Sequence, residues 1–133
     1  MDNIGLLCIQ VNIKGDWNMK IIIAGGRNFN QKGMMKRVMI QHGISSEDEI
    51  VSGHCPTGAD ALGEELAKYF NAKVKLFPAD WNKYGKSAGP KRNAQMAEYA
   101  DKAIVFWDGK SAGSRNMIGE MKKRNKHVQI IKY

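Results

Sequence analysis

Cysteine is scarce in this chain of 133 residues: there are two, Cys8 and Cys55, far apart and in no C-x-x-C spacing. That excludes a disulfide-stapled scaffold and suits a reducing, cytoplasmic setting. Long apolar runs are missing as well. No stretch reaches the roughly 20 apolar residues of a spanning helix, so no membrane role is expected. The opening Met1-Asp2-Asn3 lacks the basic region of a secretory leader, and no small-residue cleavage site follows the short apolar run behind it. Histidine is equally sparse. His42 and His127 sit far in sequence from the adjacent pair His54-Cys55, so zinc-ligand spacing is absent and no metal is expected. Two nucleotide signatures are missing: no G-x-G-x-x-G follows the first apolar run, and Gly85-Lys86-Ser87 has Asp80 where a Walker A loop needs its earlier glycine.

What is present is an ordinary globular composition, 43% hydrophobic and 26% charged. With this length it allows one domain whose core needs no staple. The 21 Lys and Arg outnumber 13 Asp and Glu, for a net charge of +8. Such an excess fits solubility alone as well as it fits an anionic partner. Its one dense cluster, Lys122, Lys123, Arg124 and Lys126, falls in the last turns of a predicted helix, where cations complement the helix dipole.

From residue 20 onward, short apolar runs alternate with longer amphipathic segments. Strands are predicted at Lys20 to Ala24, Glu49 to Ser52, Lys73 to Phe77, Lys102 to Trp107 and His127 to Lys132. The first and fourth are apolar throughout, as central strands covered on both faces should be. Helices are predicted at Gln31 to His42, Thr57 to Phe70, Lys91 to Tyr99 and Ser114 to Asn125. Met35, Val38 and Met39 share a face of the first, and Ala59, Leu62, Leu66 and Phe70 line the second. Gly43 suits a C-terminal cap and Pro90 a helix start. Strict alternation predicts an α/β fold, a single Rossmann-like, doubly wound domain with a mainly parallel five-stranded sheet over residues 20–133. Residues 1–19 form an extension in which Leu7, Ile9, Val11 and Ile13 alternate with Cys8, Gln10, Asn12 and Lys14, predicting one added strand.

In such a sheet the loops from strand to helix share one edge, where ligands bind. Here those loops hold Gly25-Gly26-Arg27, Gly53 through Asp60, Asp80 through Asn93, and Asp108 through Asn116. Glycines let backbone approach an anion, and helix starts supply free N–H groups. Each loop by itself is explained by tight turns. Charge against local preference favours more: Lys91, Arg92 and Arg115 stand at predicted helix starts, where acids are preferred, with Arg27 on the same edge. Thr57 and Asp60 are spaced as a capping box. Trp81 and Tyr84 have two readings, stacking on a base or ribose and closing the long loop over the core.

Taken together, Gly25-Gly26-Arg27-Asn28-Phe29, Val51-Ser52-Gly53, Gly58-Ala59-Asp60, Phe77-Pro78-Ala79-Asp80-Trp81, Tyr84-Gly85-Lys86, Ala88 through Asn93 and Gly113-Ser114 resemble the YspA-like, YpsA-related branch of the SLOG superfamily. The resemblance implies a Rossmann-like fold in proteins of bacteria and their phages, with binding of a nucleotide or nucleotide-derived phosphorylated ligand. On that reading Gly25, Gly26, Ser52, Gly53, Gly58, Gly113 and Ser114 offer backbone or hydroxyl contacts. Arg27, Arg92 and Arg115 meet phosphate, Asn93 meets ribose, and Asp60 and Asp80 belong to the same site. Relatives include phosphoribohydrolases, whose catalytic Glu lies a turn into the helix after a Gly-Gly-x-Gly-Thr loop. Here Arg115, Asn116 and Met117 follow Gly113-Ser114, and the nearest acid is Glu120. Binding is therefore favoured over turnover. The alternatives are an N-glycosidic hydrolase using Asp60, Asp80 or Glu120, and, ranked last, a nucleic-acid-binding module. Relatives often assemble, which makes a homo-oligomer a further expectation.

Overall fold

The structure, a computed structural model, describes residues 18–133. The strand expected within residues 1–17 lies outside the described residues. Strands and helices alternate except that two helices follow β3: β1 (Lys20–Gly25), α1 (Lys32–Gln41), β2 (Glu49–Ser52), α2 (Gly58–Tyr69), β3 (Lys73–Leu76), α3 (Trp81–Tyr84), α4 (Ala88–Tyr99), β4 (Lys102–Trp107), α5 (Ala112–Lys123) and β5 (His127–Lys132). A 3-10 turn at Gly85–Ser87 joins α3 to α4. All strand pairs are parallel, in the order β3-β2-β1-β4-β5. The fold is α/β and Rossmann-like, with β2, β1 and β4 as the buried inner strands.

Successive residues of a strand face opposite sides, and the two cores divide accordingly. Ile21, Ile23, Ile50, Ile104 and Phe106 pack with Met35, Met39 and Leu66 of α1 and α2. Ile22, Val51, Ala103 and Val105 pack with Met96, Met117 and Met121 of α4 and α5. Ile104 is fully buried, and truncating it to alanine would cost about 2–5 kcal/mol. Among the described residues no helix is long and apolar enough to cross a membrane.

Two helix starts differ from the sequence expectation. Pro90 is the third residue of α4 rather than its first, because all early helical N–H groups lack an intrahelical acceptor and a proline there forfeits nothing. α5 likewise begins at Ala112, capped by Ser111, rather than at Ser114. The helix ends away from the loops close alike. Gly43, Asn71 and Asn125 adopt φ of +69°, +57° and +58°. In each case the next amide bonds back into the last turn: Ile44 to Met39, Ala72 to Ala67, Lys126 to Met121. Half of the basic cluster is engaged at this edge, while Lys122 and Lys123 stay exposed. Arg124 pairs with Glu120 and Glu98, and Lys126 Nζ donates to the carbonyls of Ala97, Glu98 and Ala100 at 2.8, 2.8 and 2.7 Å.

Candidate functional site

The chain runs β1 to β3 in one direction and returns to lay β4 on the other side of β1, so the loops after these two strands diverge and leave a crevice. The crevice is a cleft of about 1000 Å³. Its floor is knitted from backbone. Gly26 N–H donates to Phe106 O, and Gly26 O accepts from Phe29 and Ala59 N–H, at 3.1 to 3.2 Å. Gly58 has φ of +74°, and a Cβ there would stand 2.3 Å from Gly26 O. Only glycine lets α2 start so close to the β1 loop.

One wall is organised by Arg92. Its Nη1 donates to Gly53 O at 2.7 Å and Phe77 O at 3.4 Å, and its Nε to Asn93 Oδ1 at 2.9 Å. The guanidinium thus straps the loops after β2 and β3 to α4. Arg92 Nη1 and Asp60 Oδ2 flank Gly53, where a Cβ would lie 2.6 and 2.9 Å from them. Asp60 is only 9% exposed and accepts from Cys55 N–H at 3.1 Å. Burial pushes its carboxyl above the usual carboxylate range, with the Cys55 N–H and Arg92 opposing. The expected capping box does not form: Thr57 is the N-cap but makes no side-chain cap bond. Asp60 is drawn instead to the preceding loop, which His54 turns with φ of +61°.

The opposite wall is the start of α5. Its first turn holds no acidic residue, and Ser111 Oγ accepts weakly from Ser114 N–H at 3.5 Å. Asp108 accepts from Lys110 and Ser111 N–H, both at 2.8 Å, which holds its carboxyl below the usual range. Ser114 Oγ is the one buried side-chain polar atom without a partner among the described residues. Ser114 itself is 4% exposed and lines the cleft. Asn93 ties the walls together, donating to Gly113 O at 3.3 Å and Asn116 Oδ1 at 2.9 Å.

Of the residues named from sequence, Gly25, Gly26, Arg27, Gly53 and Asp60 line the cleft, as do Arg92, Asn93, Gly113 and Ser114. Gly58 lies behind the floor. Ser52 also stands apart: its hydroxyl donates to Glu64 Oε2 at 2.6 Å and accepts from His54 N–H at 3.0 Å. Asp80 caps α3 by accepting from Lys83 N–H at 3.0 Å. Glu120 pairs with Arg124 and Lys123, and is not brought to the cleft. Arg115 is exposed and lies over the Trp107 ring, its guanidinium carbon 5.6 Å from the centroid, because a residue one position beyond buried Ser114 faces outward on the helix. Asn93 has both its amide and its carbonyl engaged in the wall, which leaves it little for ribose. Lys86 and Asp108 line the cleft although sequence reasoning gave them no role; their membership of the loops was the available signal. Among the described residues no cluster of His, Cys, Asp and Glu is arranged to hold a metal ion.

No family model and no solved structure matches the chain. It is similar to the Gene 61 protein of Mycobacterium phage D29, 36% identical over 72 residues, which are 50% of this chain and 58% of that protein. The chain therefore spans less than two thirds of the phage protein's length.

Proposed function

We propose that the cleft binds a nucleotide or nucleotide-derived phosphorylated ligand, with a phosphate at the start of α5. The observation that carries this is Ser114: a buried hydroxyl without a partner, on an acid-free helix start, in the crevice where α/β sheets take ligands. Leaving such a group unsatisfied costs about 1–3 kcal/mol, and an anionic oxygen would relieve it. Arg27 and Lys86 on the walls supply long-range attraction. The first turn of α2 contains an acid, Asp60, whereas the carboxylate nearest α5, Asp108, stands ahead of the Ser111 cap and leaves the first-turn N–H groups of α5 without an acid of their own. The resemblance to SLOG proteins agrees with this reading.

A thermal-shift and calorimetric panel of nucleoside monophosphates, ribose 5-phosphate and unphosphorylated nucleosides tests it. Phosphorylated members should stabilise the protein, by about 2.7 kcal/mol at a hundredfold excess over Kd, and nucleosides should not. Ser114→Ala should weaken binding about tenfold or more, the value of one hydrogen bond to a charged group. Absence of stabilisation by every phosphorylated compound at millimolar concentration refutes the proposal.

Asp60 favours a second reading, hydrolysis of an N-glycosidic bond, because a buried carboxyl with a raised pKa in a cleft is suited to general acid–base work. Release of free base from a nucleoside monophosphate, lost in Asp60→Asn, would establish it. A nucleic-acid role finds less support, since Arg124 and Lys126 of the basic cluster are engaged in ion pairs and helix closure, which leaves only Lys122 and Lys123 exposed there.

A further inference from the structure

The cleft has a second end, and it is aromatic. Trp81 lines it, yet the indole is 49% exposed and packs into neither hydrophobic core. An exposed indole contributes little to folding, so closing the loop over the core does not account for it. Its neighbours on the same edge have their faces covered. Lys83 and Lys91 lie 5.1 and 5.0 Å from the Tyr84 ring, and Arg115 and Lys132 both lie 5.6 Å from Trp107. Among the described residues no cation lies over Trp81.

Its position is set from below. A Cβ at Gly89 would stand 3.2 Å from Trp81 Cη2, so glycine in the first turn of α4 gives the ring its seat. Asn93 follows Gly89 on the same helix by about 6 Å of rise, and its amide is 3.3 Å from Gly113 O beside the start of α5. Platform and phosphate seat therefore line one cleft, with α4 touching the first through Gly89 and the second through Asn93. Pro78 and Ala79 extend the apolar end, and Lys86 borders it.

We infer that the ligand carries a flat aromatic base and that this base stacks on Trp81 while its phosphate meets Ser114. The inference rests on the phosphate reading above and narrows it from nucleotides and nucleotide-derived phosphorylated compounds to those that keep the base. Stacking tolerates any base, because every base presents a π face, so Trp81 supplies affinity for the class rather than choice among its members.

The test uses the full chain and compares AMP, GMP, CMP and UMP with ribose 5-phosphate by calorimetry. The four nucleotides should bind about 5- to 150-fold more tightly than ribose 5-phosphate, the range that base–aromatic stacking spans. Trp81→Ala should bring them down to the level of ribose 5-phosphate without changing binding of the sugar phosphate. Trp81→Phe keeps an aromatic face and should retain most of the preference, while losing the Trp81 share of the emission quenching that nucleotides should cause in the unaltered protein. If nucleotides and ribose 5-phosphate bind equally, or if Trp81→Ala weakens both alike, the stacking assignment is wrong and the phosphate seat stands. If neither class binds, both fall.

Discussion

Replacing Arg92 by alanine separates two roles that one guanidinium could play at this edge. In the structure Arg92 donates to Gly53 O, Phe77 O and Asn93 Oδ1, so it is a strap before it is an anion receptor. The 3.4 Å contact is too long to count for much, which leaves two good bonds. Charged donors are worth about 1.5–3 kcal/mol each when buried, and partial exposure reduces this, so Arg92→Ala should destabilise by about 2 kcal/mol. At this size that is a fall in Tm of about 6–12 °C. Part of the loss comes from stranding Asp60 without its nearby cation, so the double variant Asp60→Asn/Arg92→Ala should recover about 1 kcal/mol relative to the sum of the singles. Arg92→Lys should recover little, since a single ammonium cannot reach the same acceptors as a planar fork. Denaturant unfolding with matched m-values measures the unaltered protein, both single variants, the double variant and Arg92→Lys. A loss below about 0.5 kcal/mol for Arg92→Ala, together with weaker phosphate binding, would refute the strap and return Arg92 to the ligand.

Other expectations follow from the same geometry. Because burial raises the Asp60 pKa, the folded protein holds that proton to higher pH than the unfolded chain. The contribution of Asp60 to stability is therefore greatest below its ordinary value near 3.8 and is lost as pH rises through the raised folded value. Asp60→Asn, which keeps an acceptor for Cys55 N–H, should remove this slope in denaturation midpoints compared at about pH 4 and about pH 7. Gly63→Ala and Gly119→Ala should differ in sign. A Cβ at Gly63 would lie 2.8 Å from Ile23 Cγ2, and overpacking of about 1–3 kcal/mol outweighs the gain in helix propensity. Nothing lies within 4 Å of a Cβ at Gly119, so that variant should gain about 0.5–1 kcal/mol in the same assay.

Most of the scaffold was legible because strand and helix carry different periods. β2, β4 and β5 have the bounds that their apolar runs indicate, and β1 and β4 are inner strands as their unbroken apolar character implies. α3 was missed: four residues cannot display a period, although Asp80 ahead of Trp81 is an N-cap signal. The site was legible as an edge and not as an arrangement. That Gly53, Asp60, Arg92, Asn93 and Ser114 converge follows from the parallel topology. Whether Arg92 reaches across 39 residues to Gly53 O, or Arg115 faces the cleft, depends on packing that no local pattern encodes. The same holds for Ser114, whose hydroxyl lacks a partner only because tertiary burial removes water from it.

The three αL closures at Gly43, Asn71 and Asn125 have a practical side. They lie at the rim opposite the mouth, and each is completed by its own peptide groups without help from any group that lines the cleft. That rim is the place to attach a dye, splice in a foreign peptide or open a permuted chain, because a lesion there frays one helix tail and leaves the receptor end intact. A reporter grafted at Asn71 would thus read occupancy of the distant cleft as a bystander rather than as a competitor.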